Sequence, residues 1–143
     1  MSGFDTAAAN DWNRRVVEEF RERGGKVAQF EGRPLLLLHH RGAKTGTERV
    51  NPLVYQSVGD DFAVFGSKAG APTNPDWYHN LRANPEAAVE VGTETIRVRA
   101  RVAEGEERER IWERQKRDNP NFADYEKLTA RPIPVVVLER IST

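Results

Sequence analysis

The stretch RGAKTGTERVNPLVY, residues 41–55, decides how the middle of this chain folds. An apolar run over residues 35–38 precedes it, and apolar residues return at its far end. This pattern predicts a loop over residues 42–47 between two strands. Two glycines in the loop let the backbone turn with positive φ and let a ligand approach closely. Between residues 33 and 56 basic residues outnumber acidic ones four to one, which favours an anionic small molecule.

A second stretch, GSKAGAPTNPDWYHNL over residues 66–81, repeats this design. It places Ser67 and Lys68 in a glycine-containing loop that follows an apolar strand. Asn74 to Asp76 predict the cap and first turn of a helix, because proline suits the first helical position. Free N–H groups at such a helix start, beside Lys68, favour a bound anion. We therefore expect the two cationic loops to face one pocket.

These paired stretches resemble the deazaflavin-dependent nitroreductase family of actinobacteria, whose members bind the 8-hydroxy-5-deazaflavin coenzyme F420. The likeness spans roughly residue 30 to the end of the chain. The matching residues are Lys44-Thr45-Gly46, Arg49 to Leu53, Ser67-Lys68 with Gly70, Asn74-Pro75, Trp77-Tyr78, Asn80-Leu81 and Ala130 to Leu138. The resemblance implies an α+β fold, a mostly antiparallel split β-barrel with flanking helices, and a hydride-transferring reductase.

The resemblance also implies a coenzyme site, in which three cations pair with the phosphate and carboxylates of the coenzyme's tail. Those cations are Lys44, Arg49 and Lys68. The aromatic pair Trp77 and Tyr78 packs near the tail or ring, or else belongs to the plain apolar core. The full implied set is Lys44, Thr45, Gly46, Arg49, Pro52, Ser67, Lys68, Gly70, Pro75, Trp77, Tyr78, Asn80 and Leu81.

For the electron acceptor, the resemblance points to the segment over residues 119–131, which lies over the ring in similar reductases. The implied substrate residues are Ser67, Asn119, Phe122 and Tyr125. Only Tyr125 keeps a phenol in a segment that is rich in tyrosine in the family. The alternative is that Phe122, Tyr125 and Leu128 form the buried face of a short helix.

The implied reaction is reduction of a quinone, nitroaromatic or similar organic acceptor by reduced coenzyme F420. No catalytic side chain is assigned, since the coenzyme carries the reactive hydride and the protein supplies position and electrostatics. Two alternatives stay open at this point. One is a split-barrel oxidoreductase that uses flavin mononucleotide (FMN), and the other is a non-catalytic protein that binds a deazaflavin or lipid.

Composition narrows the class of protein. A chain of 143 residues without cysteine predicts one domain, over residues 1–143, with no disulfides and no thiolate metal site. Its 22 basic and 22 acidic residues give no field that would attract nucleic acid. No apolar run approaches the roughly 20 residues that span a bilayer. We expect a cytoplasmic protein, with peripheral membrane contact and the oligomeric state left open.

The remaining pattern alternates helices and strands. Apolar spacing predicts a helix over about residues 10–23, packed against a sheet, and a charged helix from Glu104 to Arg117. Strands are predicted at Lys26 to Phe30 and Leu35 to His40, joined by a turn at Glu31 to Pro34. A final strand is predicted at Pro134 to Ile141.

Two strands carry additional expectations. Proline cannot donate to a β-ladder, so Asn51-Pro52 marks an edge, a bulge or a place where the backbone faces a ligand. In the strand after Gly92, Arg97, Arg99 and Arg101 alternate with apolar residues. They are interpreted as a solvated face paired with nearby glutamates.

Several other sites find no support. Lys44-Thr45-Gly46 lacks the GxxxxGK[ST] pattern of a phosphate loop, and no GxGxxG fingerprint is present. The three histidines, His39, His40 and His79, are too few and too poorly spaced for a zinc site, so no metal is predicted. His39 and His40 would point to opposite faces of a strand. Ser67 lacks the context of a hydrolase nucleophile.

Overall fold

The computed structural model describes residues 2–30 and 33–141 of the chain. The predicted turn from Glu31 to Pro34 therefore lies partly outside the described residues. The elements in chain order are α1 (Ser2–Glu22), β1 (Leu35–Arg41), β2 (Glu48–Val54), β3 (Gln56–Val58), β4 (Asp61–Phe65), α2 (Asp76–Ala83), β5 (Glu86–Val91), β6 (Glu94–Val102), α3 (Gly105–Asp118), α4 (Asn121–Leu128) and β7 (Val135–Arg140). Short 3-10 turns occupy Ala28–Phe30 and Lys68–Gly70.

The sheet curls into a barrel because one stretch of chain supplies both of its edges. The strand order is β2-β1-β5-β6-β7-β4-β3, and every pairing is antiparallel. Only Tyr55 separates β2 at one edge from β3 at the other. The two edges must therefore approach each other, and β2 contacts β4. This arrangement confirms the predicted α+β, mostly antiparallel split barrel.

Alternating side chains divide the core into an interior and two outer patches. Leu36 and Leu38 face the barrel interior with Val64, Val98 and Trp77 of α2. The outward face of β1 packs on α1. The outward faces of β4 and β7 pack on α3 and α4. Strand β1 has neighbours on both sides and is buried on both faces, which confirms that the Leu35–Leu38 run is a central strand.

Strand directions bring the predicted loops to one end of the barrel. Because all pairings are antiparallel, β1, β4 and β6 run in the same direction. The loops that follow these three strands leave the barrel at the same end, which we call the rim. The rim carries residues 42–47 (the first rim loop) and residues 66–75 (the second rim loop). The chain from α3 through residue 134 starts and ends there as well.

Two predictions about the N-terminal region are wrong. Helix α1 begins at Ser2 rather than near residue 10, as the run of alanines at 7–9 favours helix strongly. Residues Lys26 to Phe30 form no strand, since β2 and β5 already occupy both sides of β1. They fold back on α1 instead, where the Ala28 N–H donates to Glu19 Oε2 at 2.8 Å and Val27 is buried.

Two other expectations are confirmed. Val16 and Phe20 of α1 are buried against β1, so this helix packs on the sheet. Pro52 lies in an edge strand whose register continues without a bulge. In the described ranges, no helix combines the length and the apolar character that crossing a membrane requires.

Candidate functional site

The first rim loop is a tight turn that projects its polar residues into solvent. The Gly42 N–H donates to Thr47 O and the Gly46 N–H to Gly42 O, both at 2.9 Å. Gly46 has a φ of +73°, in the left-handed region that glycine adopts without strain. Lys44 and Thr45, at the tip of this turn, are exposed.

A buried chain of hydrogen bonds fixes the first rim loop to the barrel. The Ala43 N–H donates to Asn80 Oδ1 at 2.9 Å, and Asn80 Nδ2 lies 3.1 Å from His40 Nδ1. His40 Nε2 lies 2.6 Å from Asn51 Oδ1. We call these residues, Asn51, His40 and Asn80, the polar chain. It links β2, β1 and α2 to the loop, and burial lowers the pKa of His40.

The second rim loop is strained and closely packed. Lys68 has a φ of +45°, a conformation that a residue with a side chain rarely adopts. Gly70 has a φ of +81°, and a Cβ placed there would approach Leu128 Cβ to 2.7 Å. The loop therefore needs glycine at residue 70 to fit under α4. Ser67 is buried, whereas Lys68 is exposed.

Arg131 holds the second rim loop in this conformation. Its guanidinium donates to the backbone oxygens of Gly66, Ser67 and Ala71, each at 3.0 Å. It also donates to Asn74 Oδ1 at 2.7 Å. Asn74 is thus engaged by Arg131 instead of capping α2, and the residue at the N-cap is Pro75, which corrects the predicted cap.

The sequence reasoning missed Arg131, His40 and Asn51 as residues of this site. The partners of Arg131 lie 57 to 65 residues away along the chain, so no local pattern reveals the contact. The prediction that His39 and His40 point to opposite faces could have identified His40 as an interior residue. His39 bonds Glu90 on the outer face, which leaves His40 to the interior.

Four cations at the rim have no ion-pair partner among the described side chains. Lys44, Arg49, Lys68 and Arg131 have no carboxylate within 4.0 Å among the described side chains, those of residues 11–30 and 33–141. Burial lowers the pKa of Arg131, whose hydrogen bonds go to neutral oxygens. An anion bound at the rim would compensate these charges.

The structure gathers most of the predicted coenzyme residues at the rim and separates a few from it. Those that lie in the two rim loops, or in the elements that begin or anchor them, are Lys44, Thr45, Gly46, Arg49, Ser67, Lys68, Gly70, Pro75 and Asn80. Trp77 and Leu81 are buried in the barrel interior. Pro52 pairs with Leu37 on the outer face of the sheet, opposite to Arg49.

Tyr78 also stands apart from the first rim loop. Residues two apart on an α-helix point about 200° apart, so Tyr78 and Asn80 occupy opposite sides of α2. Tyr78 lines a groove of about 210 Å³ between α2 and the ends of β6 and β7. The Arg82 guanidinium lies 5.7 Å from the centre of its ring.

The predicted acceptor segment divides in a similar way. Phe122 is buried, with its ring centre 5.6 Å from that of Phe65 and 6.2 Å from that of Trp112. Tyr125 is half-buried, and its hydroxyl accepts a hydrogen bond from Asn121 Nδ2 at 3.2 Å. Leu128 is 70% exposed, so it is not part of a buried helix face. Asn119 caps the end of α3 and is half-buried.

The chain is similar in sequence to a family of reductases. Residues 12–140 match the family described as F420H(2)-dependent quinone reductase. The F420H(2)-dependent quinone reductase Rv1261c of Mycobacterium tuberculosis is 42% identical over 110 residues, which cover 75% of this chain and 74% of that protein.

Two solved structures resemble this chain in sequence and fold. The F420-H2 dependent reductase FDR-A is 39% identical, with a TM-score of 0.69 over 75% of this chain and 95% of that one. A second structure, described as a domain-swapped dimer, is 36% identical, with a TM-score of 0.71 over 92% and 99% of the two chains. The family match covers most of the chain and confirms the resemblance seen in its two loop motifs. The chain belongs to the F420H(2)-dependent quinone reductase family.

Proposed function

We propose that this protein reduces a quinone-type acceptor with reduced coenzyme F420, and that the rim binds the coenzyme's anionic tail. The observation that carries the proposal is the set of rim cations without a carboxylate partner in the described chain, on loops held by the polar chain and by Arg131. The names of the relatives and of the matching family give the same cofactor.

The residues present fit the coenzyme better than a flavin with one phosphate. Lys44 and Lys68 come from different loops, and Arg49 lies on the inner face of β2. Several separated cations suit an elongated tail with a phosphate and carboxylates. The exposed tip of the first rim loop would bind one part of this tail, and Lys68 another.

When bound, the coenzyme supplies the hydride, and the chain's residues bind and orient both reactants. Helix α4 lies directly on the second rim loop, with Leu128 against Gly70. Ser67 is buried in that loop, and the backbone oxygen of Tyr125 on α4 also lies against Gly70. We assign Ser67 and Tyr125 to the acceptor, while buried Phe122 supports α4 from below.

Fluorescence titration with each cofactor tests the choice of coenzyme. The deazaflavin coenzyme should bind more tightly than FMN, and the reduced form should be consumed only when a quinone is added. Binding of FMN with equal or greater affinity would contradict the assignment. Binding without consumption would leave the protein as a carrier.

The acceptor assignment is tested by Tyr125→Phe and Phe122→Leu. Tyr125→Phe should lower kcat/KM for a quinone while the affinity for the coenzyme stays the same. Phe122→Leu should lower the melting temperature with little effect on kcat/KM, because it changes packing between Phe65 and Trp112. We also expect poor reduction of nitroimidazoles, since only one phenol remains in the segment. If Tyr125→Phe alters neither constant, α4 is scaffold and the acceptor lies beside Ser67.

A further inference from the structure

The polar chain joins three elements of the barrel to the loop that carries Lys44. Asn51 lies on β2, His40 on β1 and Asn80 on α2, and the last link is the backbone N–H of Ala43. His40 is 3% exposed and Asn80 is 7% exposed. Buried polar groups of this kind are costly unless each finds a partner.

The backbone N–H of Ala43 fixes which atom donates and which accepts in every hydrogen bond of the polar chain. A backbone N–H can only donate, so the atom of Asn80 that faces Ala43 must be the amide oxygen. The amide nitrogen of Asn80 then faces His40 Nδ1, which must accept. The proton of the ring is therefore on Nε2, and it is donated to Asn51 Oδ1.

Only neutral His40 fits this arrangement. A proton added at Nδ1 would face the amide hydrogens of Asn80. If Asn80 turned its amide to accept from the ring, it would present hydrogens to the Ala43 N–H instead. Either way the loop loses its anchor, because two donors cannot bond to each other.

The surroundings of His40 favour this neutral state. Burial lowers the pKa of the ring most strongly, and Arg49 and His39 lower it further. The hydrogen bond to Asn51 and the charge of Asp76 act in the opposite direction. Arg49 is the cross-strand neighbour of His40, Asp76 lies on α2, and His39 is on the outer face of β1.

We propose that His40 is a positioning residue for coenzyme binding, which holds the first rim loop in place through Asn80 and releases it on gaining a proton. The inference rests on the proposed function, because it assumes that this loop binds the coenzyme's tail. It predicts that coenzyme affinity declines in acid by more than the titration of the coenzyme itself explains.

Two substitutions separate the two bonds of the ring. In His40→Asn, the side-chain oxygen takes the place of Nδ1, so Asn80 keeps its acceptor and the link to Asn51 is lost. In His40→Gln, the side-chain nitrogen takes the place of Nε2, so the link to Asn51 is kept and Asn80 loses its acceptor. Neither side chain titrates. If the role of His40 were only to fill the core, the two variants would behave alike.

The first experiment uses the protein without coenzyme. Hydrogen exchange of the Ala43 amide is measured by NMR at about pH 7.5 and at an acid pH roughly two units below the ordinary histidine pKa, because burial lowers the pKa of His40. We expect protection in the wild type at the higher pH and its loss at the lower pH. His40→Asn should stay protected at both values and His40→Gln at neither. Equal protection in all three proteins at both values would overturn the inference.

The second experiment measures the dissociation constant and KM of coenzyme F420 under the same conditions. At about pH 7.5 His40→Asn should bind roughly tenfold more tightly than His40→Gln, the equivalent of one hydrogen bond. Between the two pH values the wild type should lose roughly tenfold more affinity than His40→Asn. Arg99→Ala, on the far face of β6, serves as the control for a change of surface charge.

The two experiments distinguish failure of the inference from failure of the proposed function. If the Ala43 amide responds as expected but the coenzyme does not bind, the proposed function is wrong while the polar chain still positions the loop. If the coenzyme binds with the same pH dependence in wild type and His40→Asn, the inference is wrong and the proposed function stands.

Discussion

Two groups of basic residues in this molecule differ in how their charge is balanced. On β6, Arg97 and Arg99 both bond Glu86, and Arg101 bonds Glu107 and Glu139. At the rim, no carboxylate of the described chain lies within 4.0 Å of Lys44, Arg49, Lys68 or Arg131. The β6 arrangement confirms the predicted solvated face paired with glutamates. A chain of zero net charge thus keeps a group of unpaired cations at the rim.

The comparison shows that the number of basic residues does not locate a binding site. The β6 row contains three arginines in alternation, a denser pattern than either rim loop. Its charge is compensated by acids from β5, α3 and β7. The rim cations instead lie beside glycine turns and neutral backbone oxygens. We therefore expect an anion to bind more favourably at the rim than on β6.

The largest effect is expected from removing Arg131, because the second rim loop should then lose its conformation. Arg131→Ala leaves the oxygens of Gly66, Ser67 and Ala71 without their charged donor. We expect a loss in the free energy of unfolding on the order of 3 kcal/mol, and coenzyme affinity too weak to titrate. Urea denaturation and fluorescence titration measure the two effects.

Arg131→Lys separates the charge of this residue from its geometry. Lysine keeps the positive charge but cannot form the planar set of bonds that the guanidinium makes. It should therefore remain destabilised while recovering part of the affinity. Full recovery of stability in Arg131→Lys would show that the hydrogen bonds of the guanidinium do not hold the loop.

The next largest effect is expected from substitutions that compare the rim cations with the β6 arginines. Lys44→Ala and Arg49→Ala should each weaken coenzyme binding by about 1 to 3 kcal/mol, because each removes a charge-assisted hydrogen bond. Arg97→Ala is the matched control, an exposed β-strand arginine that is already paired, and should leave affinity unchanged. Binding of the wild type should weaken with added salt, and less steeply in the two rim variants. Similar losses in all three variants would place the tail elsewhere.

The smallest expected effect tests whether unpaired cations alone are sufficient to bind the coenzyme. Glu86→Gln removes the partner of both Arg97 and Arg99, whose side chains are 62% and 57% exposed. Exposed ion pairs stabilise weakly, so the free energy of unfolding should change by less than about 1 kcal/mol. The freed arginines should create no second coenzyme site, since both lie within strand β6 and not in a glycine turn. Two binding events per chain in calorimetry would contradict the role given to the rim loops.

Helices, strands and turns that depend on local sequence could be predicted from the order of residues. Four consecutive leucines over 35–38 indicated a strand buried on both faces, and glycines at 42 and 46 indicated the turn after it. The charged helix was predicted over Glu104 to Arg117 and is found at Gly105–Asp118. Such features depend on neighbours within a few residues, where side-chain periodicity and backbone freedom are decisive.

The errors arose where tertiary contacts override local preference. Lys26 to Phe30 has the composition of a strand, but the sheet offered it no partner. Asn74 has the side chain of a helix cap, but Arg131 engages it from another part of the chain. For Phe122 the sequence left open an acceptor role and a buried helix face, and its ring packs against those of Phe65 and Trp112.

The sequence by itself determined the two loop motifs, the class of anionic ligand they favour and the family they resemble. It determined these because glycines, cations and strand patterns are properties of short segments. Only the tertiary structure decided which cations remain uncompensated, and that Arg131 and His40 support the loops. The physical reason is that charge compensation and buried hydrogen bonds depend on atoms within 4 Å in space. The fold brings those atoms together from positions 11 to 65 residues apart in sequence.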